Sequence, residues 1–136
     1  MPRPPQSKEM NESEIWDKGI EGDEVVIVAT DGGCSKTATG PRAGWGYASN
    51  NPRLGHGFGA AKGQAQTAQR GEVLGVTHVI MKGVGKLHIL TDSKYVALTI
   101  GKIQQGRQPK GSHQDLWNKV WEKRHRIETV TWVKAH

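Results

Sequence analysis

The chain has 136 residues, which is the length of one domain, and its 18 glycines follow no fixed period, which excludes a collagen-like fibre. No stretch reaches the length of a membrane span, and the first residues lack the apolar core of a signal peptide. The single cysteine, Cys34, cannot form an internal disulfide, which fits a reducing compartment. We therefore expect a cytoplasmic protein without a membrane partner, and we leave nuclear, organellar and viral origins open.

Charge is distributed unevenly along the sequence. Residues 1–31 contain eight acidic and three basic residues, whereas residues 32–136 contain 16 basic and five acidic ones, a net charge of +11 for that part. Scattered lysines and arginines are often only a solvated, soluble surface. Because the excess covers the whole second part rather than one run, it favours a face that binds a polyanion.

The folded part is predicted to begin after an N-terminal tail. Residues 1–23 are rich in proline and then in acidic residues, with little apolar periodicity, and predict a disordered or loosely docked tail ahead of one domain at 24–136. The domain opens with Glu24–Asp31, whose β-branched apolar residues predict a strand buried on both faces. The pair Gly32-Gly33 is predicted to end this strand.

The remaining elements follow in chain order. They are strands at Gly44–Ser49 and Arg53–Ala61, a helix at Gln66–Lys82, a strand at Lys86–Thr91, a helix from its N-cap Ser93 to Ile103, a helix begun by a capping box of Ser112 and Asp115, and a strand at Thr129–Val133. Three strands joined by short turns favour an antiparallel meander. The later strand–helix–strand crossover implies parallel pairing with a right-handed connection, so the sequence predicts an α/β fold with a mixed sheet.

Three acidic residues stand out in this predicted fold. Asp31 and Asp92 each close a buried strand, and Glu72 lies on the intervening helix, on the same face as Val76 and Val79. The carboxyl ends of adjacent parallel strands meet at one edge, where open α/β sheets place their sites. Three carboxylates at one edge repel one another unless cations intervene, and hard oxygen ligands suit Mg²⁺ or Mn²⁺. On a basic surface, this pattern predicts two-metal phosphodiester chemistry.

Each acid also has a simpler interpretation when it is taken alone. Asp31 precedes two glycines and is compatible with an ordinary turn residue, and Asp92 precedes a helix cap and is compatible with a helix-start acid. The placement of Glu72 on the helix between them favours a common site over three separate structural roles.

Five short segments occur in a definite order along the chain and carry a resemblance to a known family. They are Thr30-Asp31-Gly32-Gly33-Cys34, Arg70-Gly71-Glu72, Leu90-Thr91-Asp92-Ser93, Asp115-Leu116-Trp117 and Thr131-Trp132-Val133-Lys134-Ala135-His136. From about Val25 to His136 the chain resembles type 1 ribonuclease H. The resemblance implies a five-stranded mixed sheet of order 3-2-1-4-5 with helices on its faces. It also implies endonucleolytic cleavage of the RNA strand of an RNA–DNA hybrid with two Mg²⁺ ions, for which Mn²⁺ can substitute.

The resemblance also implies roles for four residues in catalysis. Asp31, Glu72 and Asp92 match the family's metal ligands. His136 matches a loop histidine proposed to shuttle protons or to aid product release, although a terminal histidine is also compatible with a disordered end.

Further matches concern the substrate. Cys34, Thr37 and Gln69 match segments that contact the RNA minor groove, where 2′-hydroxyls distinguish RNA from DNA. Thr67 matches a contact to a DNA phosphate, and a helix N-terminus suits such contacts. Ala68 replaces a polar residue of the family and cannot make its hydrogen bond.

The chain departs from the family pattern at three further places. Gly71 replaces a larger apolar residue, and the basic loop between two helices is short, at Gln104–His113. The family's fourth carboxylate lies on a helix after the histidine loop, whereas this sequence stops at His136. We therefore expect the C-terminal helix to be missing, or to be supplied by a second chain or a swapped protomer.

Other functions and partners stay open at this point. Compact domains of this shape also occur fused to or associated with reverse transcriptases. One alternative function is a catalytically impaired module that binds hybrid or RNA. Another is a nuclease directed at DNA, like an integrase or resolvase, because the fold alone does not fix the function.

Overall fold

The computed structural model describes residues 25–63, 65–82 and 85–134 as one five-stranded sheet with three α-helices. The strands are β1 Val25–Thr37, β2 Gly40–Ser49, β3 His56–Ala60, β4 Lys86–Thr91 and β5 Ile127–Trp132. The helices are α1 Ala68–Lys82, α2 Lys94–Gln104 and α3 Gln114–Glu122, and a 3₁₀ turn at Arg124–Arg126 leads into β5. The predicted tail at 1–23 and His136 lie outside the described residues.

The sheet has the order β3-β2-β1-β4-β5, which confirms the expected 3-2-1-4-5 arrangement. β1, β2 and β3 form the antiparallel meander, and β1, β4 and β5 are parallel. No helix follows β5 within the described residues. In the same part of the chain, no helix is long and apolar enough to cross a membrane.

One hydrophobic core joins the sheet to the three helices. Alternate residues of the parallel strands, such as Val28 and Ile89, are fully buried against the helices, together with Val76 and Ile100. Ile27 and Leu90, which alternate with them, are also buried, in a second cluster. Burial of successive residues explains why the β1 and β4 segments are continuous apolar runs rather than alternating ones.

The prediction that Gly32-Gly33 ends β1 is wrong. The strand continues to Thr37, because β2 pairs with it in antiparallel register from Ser49 back to Gly40. This backbone pairing overrides the local turn tendency of the two glycines. Pro41 is accommodated in β2 because it lies in the portion that has only β1 as a neighbour.

The helix starts were predicted with mixed success. Ser93 caps α2 as expected, since its Oγ accepts from the backbone N–H of Val96 at 3.1 Å. The capping box of Ser112 and Asp115 is wrong, because α3 begins after His113, which has a left-handed backbone and makes no side-chain cap bond. The first helix also begins two residues later than predicted, at Ala68.

Candidate active site

Asp31 and Asp92 lie side by side at one edge of the parallel pair. The register of β1 and β4 ends with Thr30 opposite Thr91, so both aspartates follow directly at the same level. Asp31 does not end its strand, since it pairs with Gly46 of β2. Asp31 therefore marks the point where β1 separates from β4 and continues with β2 alone.

Glu72 reaches this edge because glycines let α1 approach the sheet closely. A Cβ atom on Gly32 would overlap the backbone between Gly71 and Glu72, and one on Gly71 would overlap the carbonyl oxygen of Gly44. One turn later, a Cβ on Gly75 would lie 3.3 Å from the carbonyl oxygen of Asp31. The absence of side chains at these positions holds the helix backbone of Glu72 against the strand of Asp31. It also explains why no larger apolar residue can occupy position 71.

The three carboxylates influence one another electrostatically. Burial is the largest cause of a raised pKa at Glu72, a hydrogen bond from Ser93 lowers it, and the negative charges of Asp92 and Asp31 raise it further. Burial also raises the pKa of Asp92, with a further contribution from Asp31. These mutual effects mean that the carboxylates form one negatively charged cluster rather than three separate surface groups.

The cluster fits a divalent cation by chemistry but is open in its present geometry. Carboxylate oxygens are the ligands preferred by Mg²⁺ and Mn²⁺, and a cation would relieve the repulsion that adds to the effect of burial in raising the pKa of Glu72 and Asp92. Within the described residues, however, no group of three or more His, Cys, Asp or Glu side chains is placed to hold one ion. Binding an ion with all three acids therefore requires their side chains to close around it.

Two side chains, Ser93 and Trp132, contact the cluster or the backbone beside it, and the sequence did not indicate either contact. Ser93 links the cap of α2 to the cluster. Its Oγ accepts from the Val96 N–H, and its hydroxyl donates to the carboxylate of Glu72 and lowers the pKa of that group. Trp132 of β5 donates its indole N–H to the carbonyl oxygen of Asp92 at 3.1 Å, and the ammonium group of Lys94 lies 5.6 Å from its ring centre. These contacts fix the chain on both sides of Asp92.

The expected substrate residues fall into two groups. Thr67 and Gln69 lie at the start of α1, where the Thr67 hydroxyl accepts from the N–H of Arg70 at 3.1 Å. Cys34 is exposed on β1, and its thiol donates to the carbonyl oxygen of Gln66, next to this helix start. Thr37 is apart from them, at the end of β1, where its hydroxyl donates to the carbonyl oxygen of Gly40 at 2.6 Å.

An ion pair between α1 and α3 was missed by the sequence analysis. Arg70 makes two hydrogen bonds to the carboxylate of Asp115, at 3.1 and 2.7 Å, and this contact lowers the pKa of Asp115. Both residues belong to the segments that carry the family resemblance, and Asp115 is one of only five acids after residue 31. That scarcity was the available signal for a specific partner.

Comparisons with known proteins agree with this architecture. The family model described as RNase H matches residues 23–136. A solved structure, the N-terminal RNase H domain of rv2228c from Mycobacterium tuberculosis as a fusion with maltose-binding protein, is similar with a TM-score of 0.57. The sequence identity is 19%, and the match covers 82% of each chain, so this likeness concerns the fold alone. A search of curated protein sequences gave no match.

Proposed function

Because this chain belongs to the RNase H family, we propose that it is an endoribonuclease that hydrolyses the RNA strand of RNA–DNA hybrids. The observation that carries the proposal is the joint position of three acids at one sheet edge, where their negative charges act on one another: Asp31 in β1, Glu72 in α1 and Asp92 directly after β4. A negative cluster on a protein whose residues 32–136 carry a net charge of +11 suits metal-assisted attack on a phosphodiester.

In this proposal the three carboxylates hold two Mg²⁺ ions, with Mn²⁺ as a substitute. When bound, the ions supply an activated water and stabilise the leaving 3′-oxygen. Ser93 orients the carboxylate of Glu72 through its hydrogen bond, and Trp132 holds the backbone at Asp92. The glycine contacts between α1 and β1 hold the backbone of Glu72 against the strand of Asp31.

Substrate recognition is assigned to the start of α1 and the adjoining strand. Gln69 and Cys34 are exposed beside the acidic cluster and are suited to the minor groove of a hybrid, where 2′-hydroxyls identify the RNA strand. Thr67 presents a hydroxyl at a helix N-terminus, which suits a phosphate of the DNA strand. Thr37, at the far end of β1, would contact the hybrid farther along its axis.

A second candidate is a module of the same fold that binds hybrid without cleaving it. The open arrangement of the three carboxylates favours this alternative, since no group of three metal-binding side chains is assembled in the described residues.

Cleavage of a labelled RNA–DNA hybrid in Mg²⁺ separates these candidates. We expect cleavage of the hybrid RNA strand and no cleavage of double-stranded RNA or double-stranded DNA measured in parallel. Chelation of the metal should stop the reaction. Tight binding of hybrid without cleavage in Mg²⁺ or Mn²⁺ would support the binding module, and cleavage of DNA alone would support a DNA-directed nuclease.

Binding of hybrid should weaken steeply with salt. If about four phosphates are contacted, counterion release predicts a loss of about 100-fold in affinity between about 50 and 200 mM salt. Arg107, Lys110 and Lys102 line a groove of about 390 Å³ beside Trp117 and are candidates for some of these contacts. Fluorescence anisotropy with a catalytically inactive variant at several salt concentrations would measure the slope.

Two matched sets of variants test which cations contribute to that slope. The double variant Arg107→Gln with Lys110→Gln should reduce its magnitude by about two, because each lost phosphate contact removes about one. Lys86→Gln should leave the salt slope unchanged. Lys86 begins β4, at the end away from the acidic cluster, and its ammonium group donates to the carbonyl oxygen of His125. A flat salt dependence of the parent protein would contradict phosphate binding by this surface.

A further inference from the structure

His113 stands between the two helices that carry the Arg70–Asp115 ion pair. It precedes α3 and, among the described residues, is the one non-glycine residue with a positive φ, at 59°. Its ring contacts α1 through both nitrogens. Nδ1 lies 3.3 Å from the guanidinium Nη1 of Arg70, and Nε2 lies 3.2 Å from the amide oxygen of Gln69.

Chemistry fixes the direction of these hydrogen bonds. A guanidinium group can only donate, so Nδ1 of His113 must be the unprotonated nitrogen that accepts from Arg70. The proton of the neutral ring is then on Nε2, which donates to the amide oxygen of Gln69. If the Gln69 amide were turned round, its NH₂ group would meet another donor. Arg70 therefore determines both the histidine tautomer and the orientation of the glutamine.

The ion pair anchors the start of this chain of hydrogen bonds. Asp115 holds Arg70 through both of its carboxylate oxygens, which keeps the guanidinium plane and its Nη1 donor in place. The order of donation is thus from Arg70 to His113 and from His113 to Gln69. Gln69 is exposed, and its NH₂ group takes no part in this chain of hydrogen bonds, so it is available to a ligand.

We propose that His113 is a positioning residue that fixes Gln69 with its amide NH₂ group directed at the minor groove of a bound hybrid. A fixed donor suits groove acceptors, such as 2′-hydroxyl oxygens, purine N3 and pyrimidine O2. A freely rotating glutamine would offer its carbonyl oxygen to the groove as often as its NH₂ group, and it would lose side-chain entropy on binding. The inference rests on the proposed function and deepens it, because it assigns a partner to the substrate residue Gln69.

The charges around His113 keep the ring neutral at neutral pH, which preserves the chain of hydrogen bonds from Arg70 through His113 to Gln69. Burial, and then the positive charge of Arg70, lower the pKa of His113 from its ordinary value of 6.5, while Asp115 acts in the opposite direction. The groups that face the ring are Arg70 and Gln69 from α1 and Asp115 from α3. Protonation would put a second donor opposite Arg70, so acidification through the pKa of His113 should release Gln69.

A double-mutant cycle tests the coupling. Gly replaces His113 without backbone strain, because glycine adopts a positive φ freely and is accepted at an N-cap, so His113→Gly should fold with unchanged or higher thermal stability. His113→Gly and Gln69→Ala should each raise KM for the hybrid by about 3- to 10-fold, the usual net worth of a hydrogen bond, with little change in kcat. The double variant should be no worse than Gln69→Ala alone.

A pH profile adds a readout that a merely structural role would not move. KM of the parent protein should rise on acidification, whereas His113→Gly should lack that step. Multiplying losses in the double variant would overturn the proposal, because His113 would then act independently of Gln69. A KM step that persists in His113→Gly would overturn it as well.

The tautomer can be measured without any substrate. Nitrogen-15 NMR of the full chain at neutral pH should show the His113 proton on Nε2, and Arg70→Gln should abolish this preference. His78, which is stacked on Trp45 with ring centres 3.7 Å apart, serves as an internal control that should not respond. A proton on Nδ1 of His113 would overturn the proposal, because that nitrogen could not then accept from Arg70. The expected tautomer in a protein that does not cleave hybrid would instead locate the failure in the proposed function.

Discussion

Replacement of Asp92 by asparagine is expected to abolish hybrid cleavage and to leave the protein folded. The substitution keeps the shape of the side chain and removes the negative charge with which Asp92 would hold a metal ion. The indole of Trp132 binds the backbone carbonyl of Asp92 rather than its side chain, so the end of β4 should stay in place. Single-turnover cleavage at saturating Mg²⁺ measures the effect, and a retained rate above a small fraction of the parent's would remove Asp92 from the ligand set.

The same substitution should raise stability when no metal is present. The pKa of Asp92 is raised, chiefly by burial and then by Asp31, so the ionised carboxylate opposes folding at neutral pH. That penalty disappears as the pH falls through the raised pKa, and asparagine removes it at every pH. Thermal unfolding in a chelator should therefore show a higher midpoint for Asp92→Asn than for the parent at neutral pH. This difference in midpoint should shrink at acidic pH.

Asp115→Asn is a matched control with the opposite sign. The hydrogen bonds from Arg70 lower the pKa of Asp115, so its ionised form supports folding above the unfolded-state pKa and loses that support as the pH falls through the lowered value. Its replacement should reduce the midpoint at neutral pH, by a small amount because the carboxylate is exposed. Equal shifts in the two variants would contradict the electrostatic account of the acidic cluster.

Gly71→Ala is expected to destabilise the protein strongly. A Cβ at this position would overlap the carbonyl oxygen of Gly44 and lie 3.3 Å from the backbone nitrogen of Gly33. Both neighbours are backbone atoms of paired strands, so the clash can be relieved only if α1 moves away from the sheet. We expect a loss of about 3 kcal/mol in the free energy of unfolding, at the upper end of typical overpacking costs.

Cleavage should fall together with stability in this variant, because displacement of α1 carries Glu72 away from Asp31. Gly101→Ala is the matched control on α2, since nothing lies within 4 Å of a Cβ built there. Alanine is the better helix former, so this variant should gain about 0.5–1 kcal/mol and keep its activity. Urea unfolding measures both free energies, and a neutral Gly71→Ala would show that the helix and sheet are not in close contact.

Local sequence patterns were sufficient to determine most of the elements and the identity of the acids. The β-branched run that begins β1, the Ser93 cap and the apolar periodicity of α1 depend on neighbours within a few residues, and the structure has each of them. The sheet order followed from the family resemblance and from the rule that a strand–helix–strand crossover makes parallel pairs. Asp31 and Asp92 were singled out because each closes a predicted buried strand, and Glu72 because it lies on the helix between them.

Only the tertiary structure decided what the glycines and the histidine do. Gly32 suggests a turn when its neighbours in sequence are considered, yet it lies within β1 because β2 supplies backbone hydrogen bonds and α1 fills the space that a side chain would take. Likewise, His113 has no local signal, since its partners are 43 and 44 residues away in sequence. Helix and strand tendencies are short-range, whereas close backbone contact and hydrogen-bond direction arise only after distant segments have packed together.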